Sequence, residues 1–134
     1  MKLYAISDIH LGHEINRRAL ATIEPHPDDW LIVAGDVGET VAHLELGLRI
    51  LTPRFRQVIW VPGNHDLWTL PGDDAARRGE AHYLHQVSIC RKFRVLTPED
   101  PFPRWTGDGV ACTICPLFVL YDYSFRPDEI PAER

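Results

Sequence analysis

The sequence predicts an α/β fold built on a mostly parallel sheet. Two observations carry that reading. Short, unbroken apolar runs alternate with stretches of helical periodicity, the pattern of strands buried on both faces and joined by crossover helices. Each run also stops at a polar or glycine-bearing turn, namely Asp8, Gly35 and Pro62-Gly63, and the carboxyl edge of such a sheet is where ligands collect.

Taken in order, Lys2–Ser7 is a short apolar run ending at Asp8 and reads as the first buried strand. Glu14–Ile23 has helical spacing, with Ile15, Leu20 and Ile23 set on one side, and Pro25 and Pro27 stop it. Trp30–Ala34 is the second continuous apolar run. Glu39–Leu51 places Val41, Leu44, Leu48 and Leu51 at three- and four-residue intervals, an amphipathic helix ended by Pro53. Gln57–Val61 is the third strand. A loop with Pro71, Gly72, Asp73 and Asp74 follows, then a helix over Glu80–Phe93. A short strand at Arg94–Leu96 precedes the Pro-rich connector Pro98–Pro103, and Val110–Leu120 reads as a further strand. The remaining polar segment carries no helical pattern. No internal repeat or linker breaks the order, so residues 1–134 are expected to form a single domain.

Composition narrows the function classes. The chain has 134 residues, 45% hydrophobic and 25% charged, which is globular and suits one compact unit. Its net charge is −5, with no basic stripe, so a nucleic-acid-binding patch is not expected. A phosphate substrate stays open, because bound divalent cations add positive charge that the side chains do not. The first apolar run is interrupted at once by Asp8, which fits neither a secretory segment nor a membrane span, and a cytoplasmic setting is expected. Cys112 and Cys115 form a C-x-x-C that is compatible with zinc or redox chemistry. Inside a strand, however, positions three apart face opposite sides, so both are expected to be buried spectators.

The chemistry-bearing residues fall at strand ends. Asp8-Ile9-His10 follows the first strand, Gly35-Asp36 the second, and Gly63-Asn64-His65-Asp66 the third. Three consecutive strands therefore deliver carboxylates, imidazoles and a carboxamide to one edge of the sheet. Carboxylate oxygen mixed with imidazole nitrogen is a ligand set for Mn, Fe or Zn rather than Ca. A pair of such ions bridged by a carboxylate polarises a phosphoryl group and generates hydroxide near neutral pH. A neighbouring histidine that is not a ligand can protonate the leaving oxygen.

D-x-H, G-D and G-N-H-D at these spacings resemble the calcineurin-like metallophosphoesterase family. The motifs cover Met1 to about Asp66, and the stretches Arg78–Glu80, Leu96–Asp100, Trp105–Gly109 and Pro116–Phe125 resemble a bacterial branch of it less specifically. The resemblance implies the N-terminal half of a four-layer αββα sandwich. It implies that Asp8 and His10 bind a first metal, that Asp36 bridges to a second, and that Asn64 binds that second ion. His65 would contact the substrate phosphate, with Asn64, and assist the leaving group, with Asp66 orienting it.

The family also draws histidine ligands from a second half, in N-H and G-H-x-H motifs that this sequence lacks beyond Asp66. Its histidines are His10, His13, His26, His43, His65, His82 and His85. One well-bound Mn, Fe or Zn ion and one weak one are therefore expected. His82 and His85 could substitute as ligands or simply form a partly exposed helix face, and His13 could point at the site or only begin a helix. The expected function is metal-dependent hydrolysis of a phosphomonoester or phosphodiester, on a phosphoester substrate, with possible self-association or a complementing second half. The alternative is a truncated or degenerate relative that binds metal weakly and serves as a binding half.

Overall fold

The computed structural model describes residues 1–70, 77–119 and residue 129. Its first sheet has three parallel strands in the order β1 (Leu3–Ile6), β2 (His26–Ala34) and β3 (Phe55–Val61). Crossovers run through α1 (Glu14–Ala21) and α2 (Val41–Leu51), and α3 (Gly79–Lys92) follows β3. Leu31, Val33, Val58 and Trp60 alternate onto one face of the sheet and share a core with Leu20, Leu44, Leu48, Leu51, Val87 and Ile89 from the helices. Each of these fully buried side chains contributes about 1.5–3 kcal/mol of transfer free energy. On the opposite face Ile59 is buried, Ile32 and Val61 are half-buried, and Ala5 and Ala34 are exposed. This three-stranded parallel sheet with its helical layer is the α/β half-sandwich the sequence predicts.

Boundaries differ where side chains override periodicity. β2 begins at His26 rather than Trp30, with an irregularity between those residues. His26 donates its backbone N–H to Arg54 and its ring stacks on Phe55, centroids 5.3 Å apart, so the strand starts despite Pro27. Ile15 points to solvent, because Asn16, four residues before buried Leu20, is the residue that faces inward. α2 begins at Val41, since Thr40 is its N-cap and accepts from the His43 N–H at 3.2 Å.

Two strand expectations are corrected. In Arg94–Leu96 only Leu96 pairs, as a parallel bridge to Ile59, because Arg94 turns the chain at φ 58°. Among the described residues of Val110–Leu120 only Cys112–Thr113 (β5) is a strand, paired antiparallel with Arg104–Trp105 (β4). Val110, Leu117 and Val119 are exposed, and Pro116 has no N–H for a ladder. Cys112 and Cys115 are accordingly exposed, not buried, while Cys90 is the buried thiol. The expected Pro71–Asp74 loop and residues 120–128 and 130–134 lie outside the described residues. Among the described residues no helix is long and apolar enough to cross a membrane.

Candidate metal centre

The three loops at the carboxyl ends of β1, β2 and β3 are bound to each other backbone to backbone. Asp8 N–H donates to Gly35 O at 3.2 Å, His10 N–H to Asp36 O at 3.0 Å and Leu11 N–H to Val37 O at 2.9 Å. The first loop alternates: Ile9 and Leu11 are buried in the core, and Asp8 and His10 turn outward between them. Val37 anchors the second loop in the same way. From α1, Asn16 Nδ2 donates to Ile9 O at 2.9 Å and Arg17 Nη1 to Gly12 O at 2.9 Å, closing the first loop from outside.

Asp8, His10 and Asp36 all have left-handed backbones, at φ 53°, 44° and 53°. Non-glycine residues in that region cost about 1–2 kcal/mol each. The interloop hydrogen bonds hold them there. Gly35, at φ 83°, lies so close to the third loop that an added Cβ would sit 2.6 Å from Gly63 N.

The third loop is locked by two carboxylates. Asp36 Oδ1 accepts the His65 N–H at 2.8 Å. Asp66, only 1% exposed, accepts from four backbone N–H groups: Asp36 at 2.7 Å and Gly63 at 2.9 Å on Oδ2, Val37 at 3.0 Å and Gly38 at 3.3 Å on Oδ1. Burial pushes the Asp66 carboxyl up to about 6, even though backbone N–H groups pull it down. The expectation that Asp66 orients the His65 ring is not what the geometry shows. Both its oxygens are occupied by backbone, and it braces the loops instead.

The carboxylate beside the His65 ring is Glu39, which the sequence reading placed in a helix and left without a role. Glu39 Oε1 lies 3.5 Å from His65 Nδ1, and its Oε2 lies 3.5 Å from His43 Nδ1. A hydrogen bond from its own backbone, and then the fields of His43, His65 and His10, hold the Glu39 carboxyl below its ordinary range. Both Nδ1 atoms are buried and lack a closer hydrogen-bond partner. The offset was visible: Glu39 stands three residues after Asp36 and four before His43. His65 also packs edge-on to His10, centroids 4.7 Å apart, and against Trp68 at 3.8 Å.

The ligand atoms of His10, Asp36 and His65 lie within 4.8 Å of one another. Asp8 Oδ1 is 3.9 Å from His10 Nε2. Asp8, Asp36 and Asn64 share the lining of a cavity of about 400 Å³ with Leu117, Phe118 and Val119. The fold thus gathers Asp8, His10, Asp36, Asn64 and His65 at one edge. His13 stays outside as the exposed N-cap residue of α1. His82, expected on a partly exposed face, is buried, and its Nε2 lies 3.0 Å from Asp66 O, where Gln86 Nε2 also donates. That ring is committed to the loop backbone. The carboxylates of Asp8 and Asp36 and the imidazole of His10, gathered at one edge, fit a divalent transition ion.

Comparison with known proteins agrees with this geometry. The family model described as calcineurin-like phosphoesterase matches residues 1–115. A curated acyl-carrier-protein phosphodiesterase of Mycobacterium tuberculosis, PptH, is 50% identical over 127 residues, covering 94% of this chain and 39% of its own length. The crystal structure of that organism's phosphopantetheinyl hydrolase, PptH, superposes with a TM-score of 0.87 at 49% identity, covering 96% of this chain and 46% of that one. This chain therefore spans less than half the length of the relatives it matches.

Proposed function

This chain belongs to the calcineurin-like phosphoesterase family, and from that premise we propose that it contributes the metal-binding half of a phosphodiesterase acting on phosphopantetheinyl carrier protein. The single observation behind the reaction class is the cluster of His10, Asp36 and His65, with Asp8 at its rim. The substrate class follows from the likeness to an acyl-carrier-protein phosphodiesterase at 50% identity.

In this reading Asp8, His10 and Asp36 would hold one divalent Mn, Fe or Zn ion, and Asp36 and Asn64 would offer a weaker second position. The chemistry such ions supply when bound is Lewis-acid polarisation of the phosphoryl group. His65 is the proton donor to the leaving oxygen. The leaving group is an alkoxide, which departs poorly without a proton, so the acid matters. Glu39, beside Nδ1, keeps that nitrogen's proton toward itself and leaves the other nitrogen to face substrate. Asp66 acts only through the backbone, keeping Asn64 and His65 in register with Asp36.

Mass spectrometry of a phosphopantetheinyl carrier protein incubated with the chain and Mn tests this. Release of phosphopantetheine is expected, abolished in Asp36→Asn and slowed by roughly two to four orders of magnitude in His65→Ala. Equal release by Asp36→Asn would assign the hydrolysis to another protein. No release, with Mn demonstrably bound, would favour a metal-binding half without turnover.

A further inference from the structure

Glu39 stands between a loop and a helix, immediately before Thr40, the N-cap of α2. Its side chain is long, and a carboxylate in such a place has many rotamers open to it. Here its two oxygens are divided between two rings. Oε1 lies 3.5 Å from His65 Nδ1 and Oε2 lies 3.5 Å from His43 Nδ1. Among the described residues no other His, Lys or Arg side chain comes within ion-pair reach of that carboxylate. His65 has a role in the proposed chemistry. His43 has none so far.

We propose that His43 is a positioning residue, holding Glu39 Oε2 so that Oε1 stays on the Nδ1 proton of His65. The inference rests on the reading of His65 as proton donor above. His43 is itself fixed from three sides. Its backbone N–H donates to the Thr40 hydroxyl at 3.2 Å in the first turn of α2. On the second loop, a Cβ added to Gly38 would sit 2.7 Å from His43 Nδ1 and 2.9 Å from its Cγ, so the ring fills the space a side chain would take. On the first loop, a Cβ added to Gly12 would sit 3.0 Å from Glu39 Oε2 and 3.7 Å from His43 Cε1. Neither glycine has the positive φ that calls for glycine on backbone grounds. What they supply is room for the Glu39–His43 pair, enclosed between the loops that carry His10 and Asp36.

Both Nδ1 atoms are buried and have no closer partner. An N–H so placed is costly without an acceptor, and a carboxylate oxygen only accepts, so both rings carry their proton on Nδ1. One carboxylate set between two donors cannot turn from either without losing both. The proton of His65 is thereby kept at Nδ1, and its Nε2 is left to the leaving oxygen.

Imidazole nitrogen NMR on the full chain in chelator, at a pH where the rings are neutral, reads the tautomers directly. His43 and His65 are both expected in the Nδ1–H form, whereas an unconstrained ring mixes the two forms. His43→Phe keeps a ring against Gly12 and Gly38 but removes the N–H, and His65 should then pass to a mixture. His43→Asn, whose amide nitrogen stands where Nδ1 stood, should restore the Nδ1–H form of His65. A residue that only fills space would give the reverse order, with Phe harmless and Asn disruptive, and that order would overturn the inference. So would His43 found with its proton on Nε2 in the unaltered chain, which decides the matter if the variants do not fold. On carrier protein with Mn, His43→Phe should lower kcat about threefold to tenfold with the Michaelis constant kept, and cost nothing further in Glu39→Gln. The two readings fail separately. The expected tautomers without any hydrolysis sink the proposed reaction and leave the hold of His43 on Glu39 standing. Hydrolysis with His65 unchanged in a folded His43→Phe sinks the positioning role alone.

Discussion

Gly63 is where the second and third loops press hardest on each other, and Gly63→Ala is the perturbation that tests the lock. An added Cβ would sit 2.6 Å from Asp36 N and 2.7 Å from Asp36 Cγ. Neither atom is free to yield. Asp36 N is bonded to Asp66 Oδ2 at 2.7 Å, and Asp36 Oδ1 holds the His65 N–H at 2.8 Å. The loops must part, which costs about 1–3 kcal/mol for overpacking and a further ~1.5–3 kcal/mol for a charge-assisted hydrogen bond broken. A loss of about 3–5 kcal/mol in urea unfolding is expected, with Mn affinity down at least tenfold because Asp36 is displaced. Gly79→Ala is the control. Its φ is 53° and nothing lies within 4 Å of its added Cβ, so it carries the left-handed backbone cost alone, about 1–2 kcal/mol. If Gly63→Ala unfolds at the same urea concentration as Gly79→Ala and binds Mn like the unaltered chain, close contact does not hold these loops together.

Two further outcomes are expected. Asp66 has its carboxyl raised from 3.8 to about 6 in the fold, so its contribution to stability is complete below 3.8 and lost as pH climbs through 6. In chelator, the unaltered chain should therefore lose on the order of 1 kcal/mol between pH 5 and pH 7.5 relative to Asp66→Asn, which does not titrate; a relative gain on urea unfolding would mean that the N–H bonds outweigh burial. Glu39→Gln should slow hydrolysis of alkyl phosphodiesters about tenfold to a hundredfold and aryl ones less, with the Michaelis constant kept, since it acts on the proton donor alone. Equal losses on both ester types would show that Glu39 does not act through His65.

The parts of the fold visible in the sequence are those fixed by local pattern. The strand at Gln57–Val61 and the helix through Leu44, Leu48 and Leu51 are dense in apolar residues at a single period, and the core uses them as expected. The ends of the strands were equally legible, since Asp8, Asp36 and Asn64 each interrupt or follow an apolar run. What escaped were residues whose role depends on partners distant in sequence. Glu39 reads as the first turn of a helix until His65, 26 positions later, is folded beside it. Asp66 reads as a partner for its neighbour His65, yet it serves backbone about thirty residues away. Val110–Leu120 failed for the opposite reason. Its apolar run looks like a buried strand, but burial needs a surface to lie against, and among the described residues Val110 and Val119 have none.

The alternation in the first loop has a consequence for how variants of this protein would be sorted. Ile9, Leu11 and Val37 are buried, and each is the peg beside a residue to which the proposed function gives the metal. A smaller or larger side chain at one of these pegs would turn Asp8, His10 or Asp36 by altering how deeply the backbone seats. A screen for lost metal affinity would then return these aliphatic positions beside the ligands themselves. Graded changes such as Ile9→Val would adjust affinity in steps, whereas replacing a ligand removes it outright. If the proposed centre holds metal, its affinity would thus be tuned by residues inside the core, out of reach of solvent and substrate alike.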